Sequence, residues 1–376
     1  MEPFKNKISA DLVQCLARHL ERQLPAFDAA SFKNGILADL DRLELKQRAE
    51  RIARELHEVL PADRAQRSRI LLALLAPGEE AGFDGESDQT GMRGWGVWPL
   101  TMVVGTHGLE DFDGSFALLK EMTKRSTAEF DVRPFLHKDQ DRALDIMAFW
   151  VADPNVHVRR LVSEGTRPRL PWGMRLPQLV ADPSPTLPLL EALRDDKEEY
   201  VRRSVANHLN DIAKDHPDLV ADLAGNWLKG ADHNRGRLVR HACRTLIKQG
   251  HPVALAAFGL NAPAVEVRDL AATPVVVFGD HVEFGLELVS TSRKSQDLVI
   301  DYLVHFKKAN GSLAPKVFKW TRCRLGPGER LTLGRRHAIR PITTRKYYPG
   351  GQAISVRING QDFGRAAFEL EMMQAG

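Results

Sequence analysis

The sequence predicts a mainly α-helical protein: a HEAT-like helical repeat solenoid followed by a C-terminal immunoglobulin-like β-sandwich. Three observations support this fold class. Apolar residues recur at intervals of three and four from Ile8 to about Ala272, a Val-Arg segment recurs within that stretch, and the apolar period changes to two after it. We therefore expect a helical domain over residues 1–273 and a β domain over residues 274–376.

Composition limits the functions that the chain can have. Its 376 residues, 43% of them hydrophobic, are enough to bury a substantial core, and a formal charge of +4 permits an anionic partner without requiring one. Three well-separated cysteines, Cys15, Cys243 and Cys323, argue against a disulfide scaffold and fit a reducing compartment. The sequence has neither the apolar run of a signal peptide nor a membrane span. We expect a cytoplasmic protein.

A repeat is visible in the helical region. The segments DPNVHVRRLV, DDKEEYVRRSV, HNRGRLVRHAC and APAVEVRDLA each place polar residues before a Val-Arg pair. Their valines, at positions 158, 201, 239 and 267, are separated by 43, 38 and 28 residues. The first two spacings are close to the roughly 40 to 47 residues of HEAT-type helical pairs, which stack into a solenoid. We interpret the fourth segment as a shortened terminal repeat.

The basic residues of the repeat have two possible roles. The first arginine of each pair fits a structural ladder with acids of neighbouring repeats. These arginines are Arg159, Arg202, Arg240 and Arg268, and the candidate acids are Asp153, Asp195 and Asp232. The second basic residue of the first three pairs, Arg160, Arg203 or His241, is not needed for a ladder. If these side chains line the concave face, they form a stripe suited to a phosphate backbone.

The residues after 273 alternate as β-strands do. HVEFGLELVS, LVIDYLVHF, KVFKWTRCRL and AISVRING place apolar residues at every second position, and Asn-Gly and Gly-Pro-Gly sequences supply turns. A module of about 100 residues has the size of an immunoglobulin-like sandwich, although the Cys-Trp-Cys pattern of true immunoglobulin domains is missing. Its segment RRHAIRPITTRKYYPGG fits either a solubilising loop or an arm that contacts nucleic acid. The arm residues are Arg335, Arg336, His337 and Arg340.

The segment GLEDFDGSFALLKEMTKRSTAEFDVRPFL, residues 108–136, carries candidate functional carboxylates. Glu121 and Arg125 lie four residues apart on a predicted helix, and Glu129 and Asp131 follow them. An ordinary solvated ion pair would explain that spacing. The preceding RGWGVWPLTMVVGTHG, with two tryptophans and four glycines beside a proline, is more typical of a tight turn under a cleft.

The segment RRLVSEGTRPRLPWGMRL, residues 159–176, begins as a helix and is then broken by prolines. Glu164 lies at the end of the predicted helix, and Arg167, Arg169 and Trp172 follow in the loop. This loop would place an aromatic ring and two cations over a groove. The alternative is that Trp172 anchors the loop by packing, and that Glu164 is an exposed carboxylate at a helix end.

These segments resemble the AlkC family of alkylpurine DNA glycosylases, which are relatives of AlkD. The resemblance runs from about residue 90 to residue 275, and the β module is similar to the immunoglobulin-like domain that a subset of the family carries. It implies a monofunctional, monomeric, nucleoid-associated enzyme of base excision repair. Its substrates would be cationic N3-alkylated bases, such as 3-methyladenine and 3-methylcytosine, in duplex DNA, removed without base flipping.

The resemblance also implies roles for particular residues. Glu121 would be the principal carboxylate that stabilises the sugar cation of the transition state, Glu164 and Asp131 would support it, and Trp172 would supply the aromatic face. TAEFDVR lacks the tryptophan of the corresponding AlkD region, so that part of the pattern is not shared. The arginines expected to contact DNA are Arg159, Arg160, Arg167, Arg169 and Arg203.

Two other classes of function remain open at the level of sequence. One is a non-catalytic nucleic-acid-binding solenoid, and the other is a protein-binding HEAT scaffold with a β adaptor domain. Arginines beside carboxylates and an aromatic residue favour a nucleic-acid ligand over a protein partner. The thirteen histidines and three cysteines show no metal-ligand spacing and no phosphate-binding glycine loop is present, so neither a metal nor another cofactor is expected.

Overall fold

The structure, a computed structural model, describes residues 3–78, 85–343 and 345–372, in which α-helices precede β-strands. The helices are α1 (Ala10–Gln23), α2 (Ala29–Leu37), α3 (Leu45–Val59), α4 (Arg64–Ala73), α5 (Trp98–His107), α6 (Phe112–Thr123), α7 (Arg133–Lys138), α8 (Gln140–Trp150), α9 (Val156–Gly165), α10 (Pro177–Ala181), α11 (Leu187–Leu193), α12 (Glu199–Ile212), α13 (Pro217–Leu228), α14 (His233–Ala242), α15 (Arg244–Gln249) and α16 (Pro252–Ala257). The strands are β1 (Val265–Ala272), β2 (Val275–Val277), β3 (His281–Ser290), β4 (Gln296–Lys307), β5 (Leu313–Leu325), β6 (Arg330–Ala338), β7 (Gly350–Ile358) and β8 (Gln361–Glu371).

The first three Val-Arg segments lie on helices, as the repeat predicts. They belong to α9, α12 and α14, and α12 packs against both of the others. Val158, Val201 and Val239 are buried, because each lies on the apolar stripe that faces the neighbouring helices. The Asn155 side chain accepts the backbone N–H of Val158 and fixes the start of α9.

The prediction of a fourth helical repeat is wrong, because APAVEVRDLA forms strand β1. Val265 and Val267 alternate with polar residues in this segment, and β-branched side chains at every second position favour a strand. β1 pairs antiparallel with β3, with Val267 opposite Leu288. Arg268 accordingly pairs with Glu266 on its own strand, 2.6 Å away, and takes no part in a ladder. The β region thus begins at residue 265, before the predicted boundary.

Two compact units divide the chain. The first comprises Met1–Asp215 and Asp232–Ala242, and the second comprises His216–Ala231 and Cys243–Gly376. The second unit therefore includes α13, α15 and α16 as well as the strands.

The strands form two sheets, in the orders β1-β3-β6 and β2-β8-β7-β4-β5. All neighbouring strands are antiparallel except β2, which pairs parallel with β8. Alternate residues of β3 are buried, and Phe284 from this strand packs with Tyr302 of β4 in a shared core. This is the two-layer arrangement of an immunoglobulin-like sandwich. None of the helices that the structure describes is long and apolar enough to cross a bilayer.

Candidate active site

A cavity of about 350 Å³ lies in the first compact unit, where three segments meet. One segment is the turn of 3-10 helix at Gly94–Val97 with the start of α5, the second is the turn before α7, and the third is the end of α9 with the loop after it. The lining residues are Trp95, Trp98, Glu129, Phe130, Glu164, Arg167, Leu170, Pro171 and Trp172. Aromatic rings and carboxylates thus face the same space.

One wall of the cavity is aromatic. The ring of Trp98 lies 6.0 Å from that of Trp95 and 5.7 Å from that of Phe130. Gly96 has to be glycine, since a Cβ there would come within 2.4 Å of the Ser87 hydroxyl oxygen. The tight turn that the glycines and tryptophans of this segment predict is therefore present, and it holds two indoles at the cavity.

The second wall carries two buried carboxylates, Glu129 and Glu164. Glu164 accepts hydrogen bonds from Arg167, at 2.5 Å, and from the Ser204 hydroxyl of α12, at 2.6 Å. Glu129 accepts from the Thr127 hydroxyl at 2.7 Å. Because both carboxylates are fixed by donors, their charge is held in place before any ligand arrives. The prediction that Glu164 is an element of a groove, and not an exposed helix-end residue, agrees with its 5% exposure.

Arg160 joins the two carboxylates and is not available to a phosphate. Its Nη1 donates to Glu129 Oε2 at 2.7 Å, and its Nη2 lies 3.7 Å from Glu164 Oε1. Burial opposes the charge of Arg160, but the neighbouring Glu129 and Glu164 raise its pKa above the usual arginine value. The structure does not support the prediction that Arg160 contacts a phosphate, because its guanidinium is buried against two acids.

Arg167 is also buried and paired, so its predicted phosphate contact is corrected in the same way. Besides Glu164, it contacts Asp211 of α12, to which its Nε donates at 2.8 Å. Burial again opposes the charge, and Glu164 and Asp211 raise the pKa of Arg167. Arg167 remains a cavity residue, but its role is to orient Glu164.

Trp172 lies at the rim of the cavity in an unusual backbone conformation. Its side chain is 76% exposed and its φ is +63°, in the left-handed region that bulky residues rarely adopt. Arg133 of α7 secures the loop around it, since it donates to the carbonyl of Gly165 at 2.8 Å and to that of Met174 at 2.5 Å. An exposed indole held in a strained conformation is typical of a functional residue.

Two other predicted carboxylates lie away from the cavity lining. Glu121, on α6, is about two-fifths exposed and pairs with Lys124 at 3.0 Å and with Arg125 at 3.7 Å. Asp131 is buried beside Gly105, where burial raises the pKa of its carboxyl to about 7. The structure thus brings Glu164 and Trp172 together at one cavity, and it does not bring Glu121 or Asp131 to that lining.

The remaining solenoid arginines divide into paired and exposed groups. Arg159 forms a buried ion pair with Asp196, 2.6 Å away, and belongs to the ladder, so its expected DNA contact is corrected. The partner acid is Asp196 and not its neighbour Asp195, which pairs with Arg235. Arg169 pairs with Asp215 at 2.7 Å and is one-quarter exposed. Arg203 is two-thirds exposed, and its ion pair with Glu199, 3.5 Å away, leaves its head group open to solvent.

The predicted arm of the β module lies on β6 and in the segment after it. Arg335, Arg336 and Arg340 are exposed, and Arg336 pairs with Glu283 at 2.8 Å. His337 is different, because it faces the core, where its Nδ1 lies 2.9 Å from the Tyr302 hydroxyl. Burial, reinforced by Arg345, lowers the pKa of His337 to about 4. A neutral, inward-facing histidine cannot neutralise a phosphate, so the DNA contact expected for His337 is corrected.

Sequence reasoning missed several cavity residues. Trp95, Trp98 and Phe130 line the aromatic wall, and Ser204 orients Glu164. Glu129, the other carboxylate, lies in the candidate segment but was given no role. The composition of RGWGVWP was a signal for the tryptophans, because glycines beside large aromatics indicate a constrained turn. Ser204 had no such signal, since its contact with Glu164 joins residues 40 positions apart.

The chemistry of this cavity suits a cationic guest that stacks. Carboxylates stabilise positive charge, and indole faces attract cations more strongly when water is excluded. Among the residues that the structure describes, no group of three histidine, cysteine, aspartate or glutamate side chains is placed to hold a metal ion. The cavity lining combines carboxylates, an arginine and aromatic rings.

Comparisons with known proteins agree with this fold. Residues 125–246 match the family model of DNA alkylation repair enzymes, and residues 266–372 match the model of the C-terminal immunoglobulin-like domain of YhaZ. The chain is 37% identical over 364 residues to the uncharacterized protein YhaZ of Bacillus subtilis. The match covers 96% of this chain and 97% of YhaZ.

A solved structure is similar over nearly the whole chain. It is the alkylpurine DNA glycosylase AlkC of Pseudomonas fluorescens bound to DNA that contains an abasic site analog. The match has a TM-score of 0.85 and 40% identity, and it covers 98% of this chain and 100% of that one. The fold is thus that of a DNA alkylation repair enzyme. The chain belongs to the AlkC-type family of alkylpurine DNA glycosylases that carry a C-terminal immunoglobulin-like domain.

Proposed function

We propose that this protein is a monofunctional DNA glycosylase that removes cationic N3-alkylated bases, such as 3-methyladenine and 3-methylcytosine, from duplex DNA. The observation that carries the proposal is the cavity in which Glu129 and Glu164 face Trp95, Trp98 and Trp172. A base alkylated at N3 is already positively charged, so it leaves as a neutral molecule and needs no general acid. The enzyme has only to stabilise the sugar cation and to orient water.

In this mechanism Glu164 is the principal carboxylate. The N-glycosidic bond breaks as its electron pair moves onto the base, and the sugar acquires oxocarbenium character, as in glycoside hydrolysis. The ionised Glu164, held by Arg167 and Ser204, stabilises that cation at C1′. Water then attacks C1′ and gives up its proton, for which Glu164 or Glu129 is the acceptor. The products are the free base and an intact abasic strand.

Two features support base release without base flipping and without strand cleavage. The rim residues Pro171 and Trp172 are exposed, so the aromatic face can meet a lesion at the duplex surface, whereas enzymes that flip bases use an enclosed pocket. None of the cavity-lining residues that the structure describes is a lysine, so the lining offers no amine for the Schiff base of a strand-cleaving glycosylase. A simple hydrolytic release without base extrusion is consistent with both.

The direct test incubates the purified full-length protein with methylated duplex DNA and separates the released bases. We expect 3-methyladenine and 3-methylcytosine to appear, with strand breaks only after alkali treatment. Binding to the duplex without base release would instead identify a non-catalytic nucleic-acid-binding protein. Strand cleavage without alkali would contradict monofunctional action.

The carboxylates are tested by single-turnover excision with glutamine variants. Glu164→Gln should lower the rate on the order of 10² to 10³, with duplex affinity nearly intact, because the change keeps shape and removes charge. Glu110→Gln is the matched control, since Glu110 is exposed and lies outside the cavity lining. Thermal denaturation of each variant separates loss of charge from loss of fold.

The same assay decides between the cavity carboxylates and Glu121. If Glu121→Gln abolishes excision while Glu164→Gln does not, the sugar cation is stabilised at α6 and the cavity has another use. Ser204→Ala, which removes one donor to Glu164, should give an intermediate loss, because the carboxylate is retained but less well oriented.

A further inference from the structure

Among the ion pairs of the described residues, Arg160 is the side chain that contacts both cavity carboxylates. It donates to Glu129 at 2.7 Å and lies 3.7 Å from Glu164. It also donates to the Thr127 hydroxyl at 3.1 Å, and Thr127 in turn donates to the same oxygen of Glu129. Arg160 is thus the centre of a small network that spans the acidic wall.

We propose that Arg160 is a positioning residue that keeps both cavity carboxylates ionised and at the spacing that the reaction requires. Two carboxylates that face one partly dehydrated cavity repel each other. Without a cation between them, this repulsion favours protonation of one of the two. A protonated carboxyl no longer opposes the sugar cation. This inference rests on the proposed glycosylase function and assigns a specific task within it.

The surroundings of Arg160 keep it in this bridging position. The ring of Tyr200, on α12, lies 4.8 Å from the guanidinium carbon, and His157 contacts the same ring from α9. Burial lowers the pKa of His157, so it adds no positive charge at neutral pH. The other charged groups facing this network are Arg167, which pairs with both Glu164 and Asp211, Lys214, which pairs with Asp211, and buried Arg133. Arg160 is therefore the cation placed between Glu129 and Glu164.

Under the proposed function, the bridge lets the cavity accept a cationic lesion without binding cations indiscriminately. Arg160 and Arg167 already satisfy the acids, so a simple cation gains little by entering. A lesion that stacks on the tryptophans adds the aromatic contact, and the charge of the transition state then strengthens its interaction with the fixed carboxylates.

The test is the pH profile of single-turnover excision for Arg160→Met, Arg160→Lys and the wild type, from about pH 5.5 to about pH 9. Arg160→Met keeps bulk but lacks charge, so its rate should be low at neutral pH and rise by roughly tenfold per pH unit as the second carboxyl ionises. Arg160→Lys restores the charge and should move the profile back toward the wild type. Wild-type excision should be nearly flat over the neutral range.

Arg202→Met is the matched control. Arg202 is a half-buried arginine of α12 that donates to the backbone carbonyl of Asp196, so its removal leaves no carboxylate unpaired at the cavity. Its pH profile should match that of the wild type, whatever its effect on thermal stability. If Arg160→Met does not fold, Thr127→Val removes the other donor to Glu129 and should shift the profile in the same direction by less.

The outcomes separate this inference from the proposed function. If the wild type releases no alkylated base, the proposed function fails first. If it does, and Arg160→Met lowers the rate equally at every pH, the inference is overturned and Arg160 has only a packing role. A weaker dependence of duplex binding on salt in Arg160→Met would also overturn it, because that result belongs to a phosphate contact.

Discussion

At the scale of single residues, the acidic and aromatic side chains matter through the way they are held. Glu164 is fixed by donors from two directions, and the exposed Trp172 is held by its loop in a left-handed backbone conformation. Stored backbone strain of this kind, on the order of 1 to 3 kcal/mol, persists only where the surrounding structure enforces it. Arg133, fully buried at the base of the loop, provides that enforcement.

Trp172 offers a test in which activity and stability change in opposite directions. Trp172→Asn should lower excision roughly tenfold, because the aromatic face is lost. The same change should leave the free energy of unfolding unchanged or raise it by up to about 1 kcal/mol, since asparagine tolerates the left-handed region. Urea denaturation and single-turnover assays measure the two effects. Trp172→Phe, which keeps a ring, is the control and should retain most of the activity.

A result in the other direction would assign Trp172 a different role. If Trp172→Asn unfolds at markedly lower urea while its excision rate stays normal, the indole anchors the loop by packing and does not contact the lesion.

At the scale of secondary-structure elements, the repeated Val-Arg pair is used in two ways. The first arginine, Arg159, ties α9 to the start of α12 through Asp196. The second is used differently in each repeat: Arg160 pairs with the cavity carboxylates, and Arg203 faces solvent. Similar sequence positions therefore contribute to stability, to the site and to a surface contact, because successive helices pack in different surroundings.

Arg159 and Arg203 should separate stability from DNA contact. Arg159→Met leaves the buried carboxylate of Asp196 without its cationic partner, so it should lower the free energy of unfolding by about 3 to 5 kcal/mol. It should not change the slope of log affinity against log salt. Arg203→Ala should do the reverse, with little change in stability and a slope flatter by roughly one unit, as for one lost phosphate contact. Salt titrations of duplex binding and urea denaturation give both quantities, and an unchanged slope for Arg203→Ala would leave it without a DNA contact.

At the scale of the whole molecule, the β module is the second surface that can contact DNA. An enzyme that reaches a lesion without flipping it benefits from holding the duplex bent, which costs of order 1 to 6 kcal/mol. The exposed basic residues of β6 and the segment after it can offset part of that cost through phosphate contacts. Truncation near residue 273 would not test this idea, because it separates β1 from its partner β3.

Point variants in the full-length protein test the β module instead. Replacing Arg335, Arg336 and Arg340 together by glutamine should weaken duplex binding and flatten the salt slope by up to about three units. Excision at low enzyme concentration should fall accordingly, while the rate at saturating enzyme changes less. The matched control is the triple glutamine variant of Arg293, Lys294 and Lys308, which are exposed in other loops of the module. Equal effects of the two triple variants would mean that the module contributes only general positive charge.

Much of the fold followed from the sequence alone. Helical spacing, capping residues and the change to alternating apolar residues indicate local structure, and each depends on neighbours within a few positions. The first three repeats and the β module were identified in this way. The fourth repeat was misassigned, because a Val-Arg pair is compatible with a helix or a strand and only the partner strand β3 decides which forms.

The site was only partly predictable, because contacts between distant parts of the chain decide it, as they decided the structure of β1. The sequence by itself determined that Glu164 and Trp172 lie near the point where a helix breaks, because the prolines at positions 168 and 171 cannot continue it. Tertiary structure decided which carboxylates share the cavity, since Glu129 reaches it from the turn before α7 and Ser204 of α12 holds Glu164 there. It also decided which arginines are free, because a guanidinium beside a buried acid is held by a Coulomb attraction that only the folded chain creates.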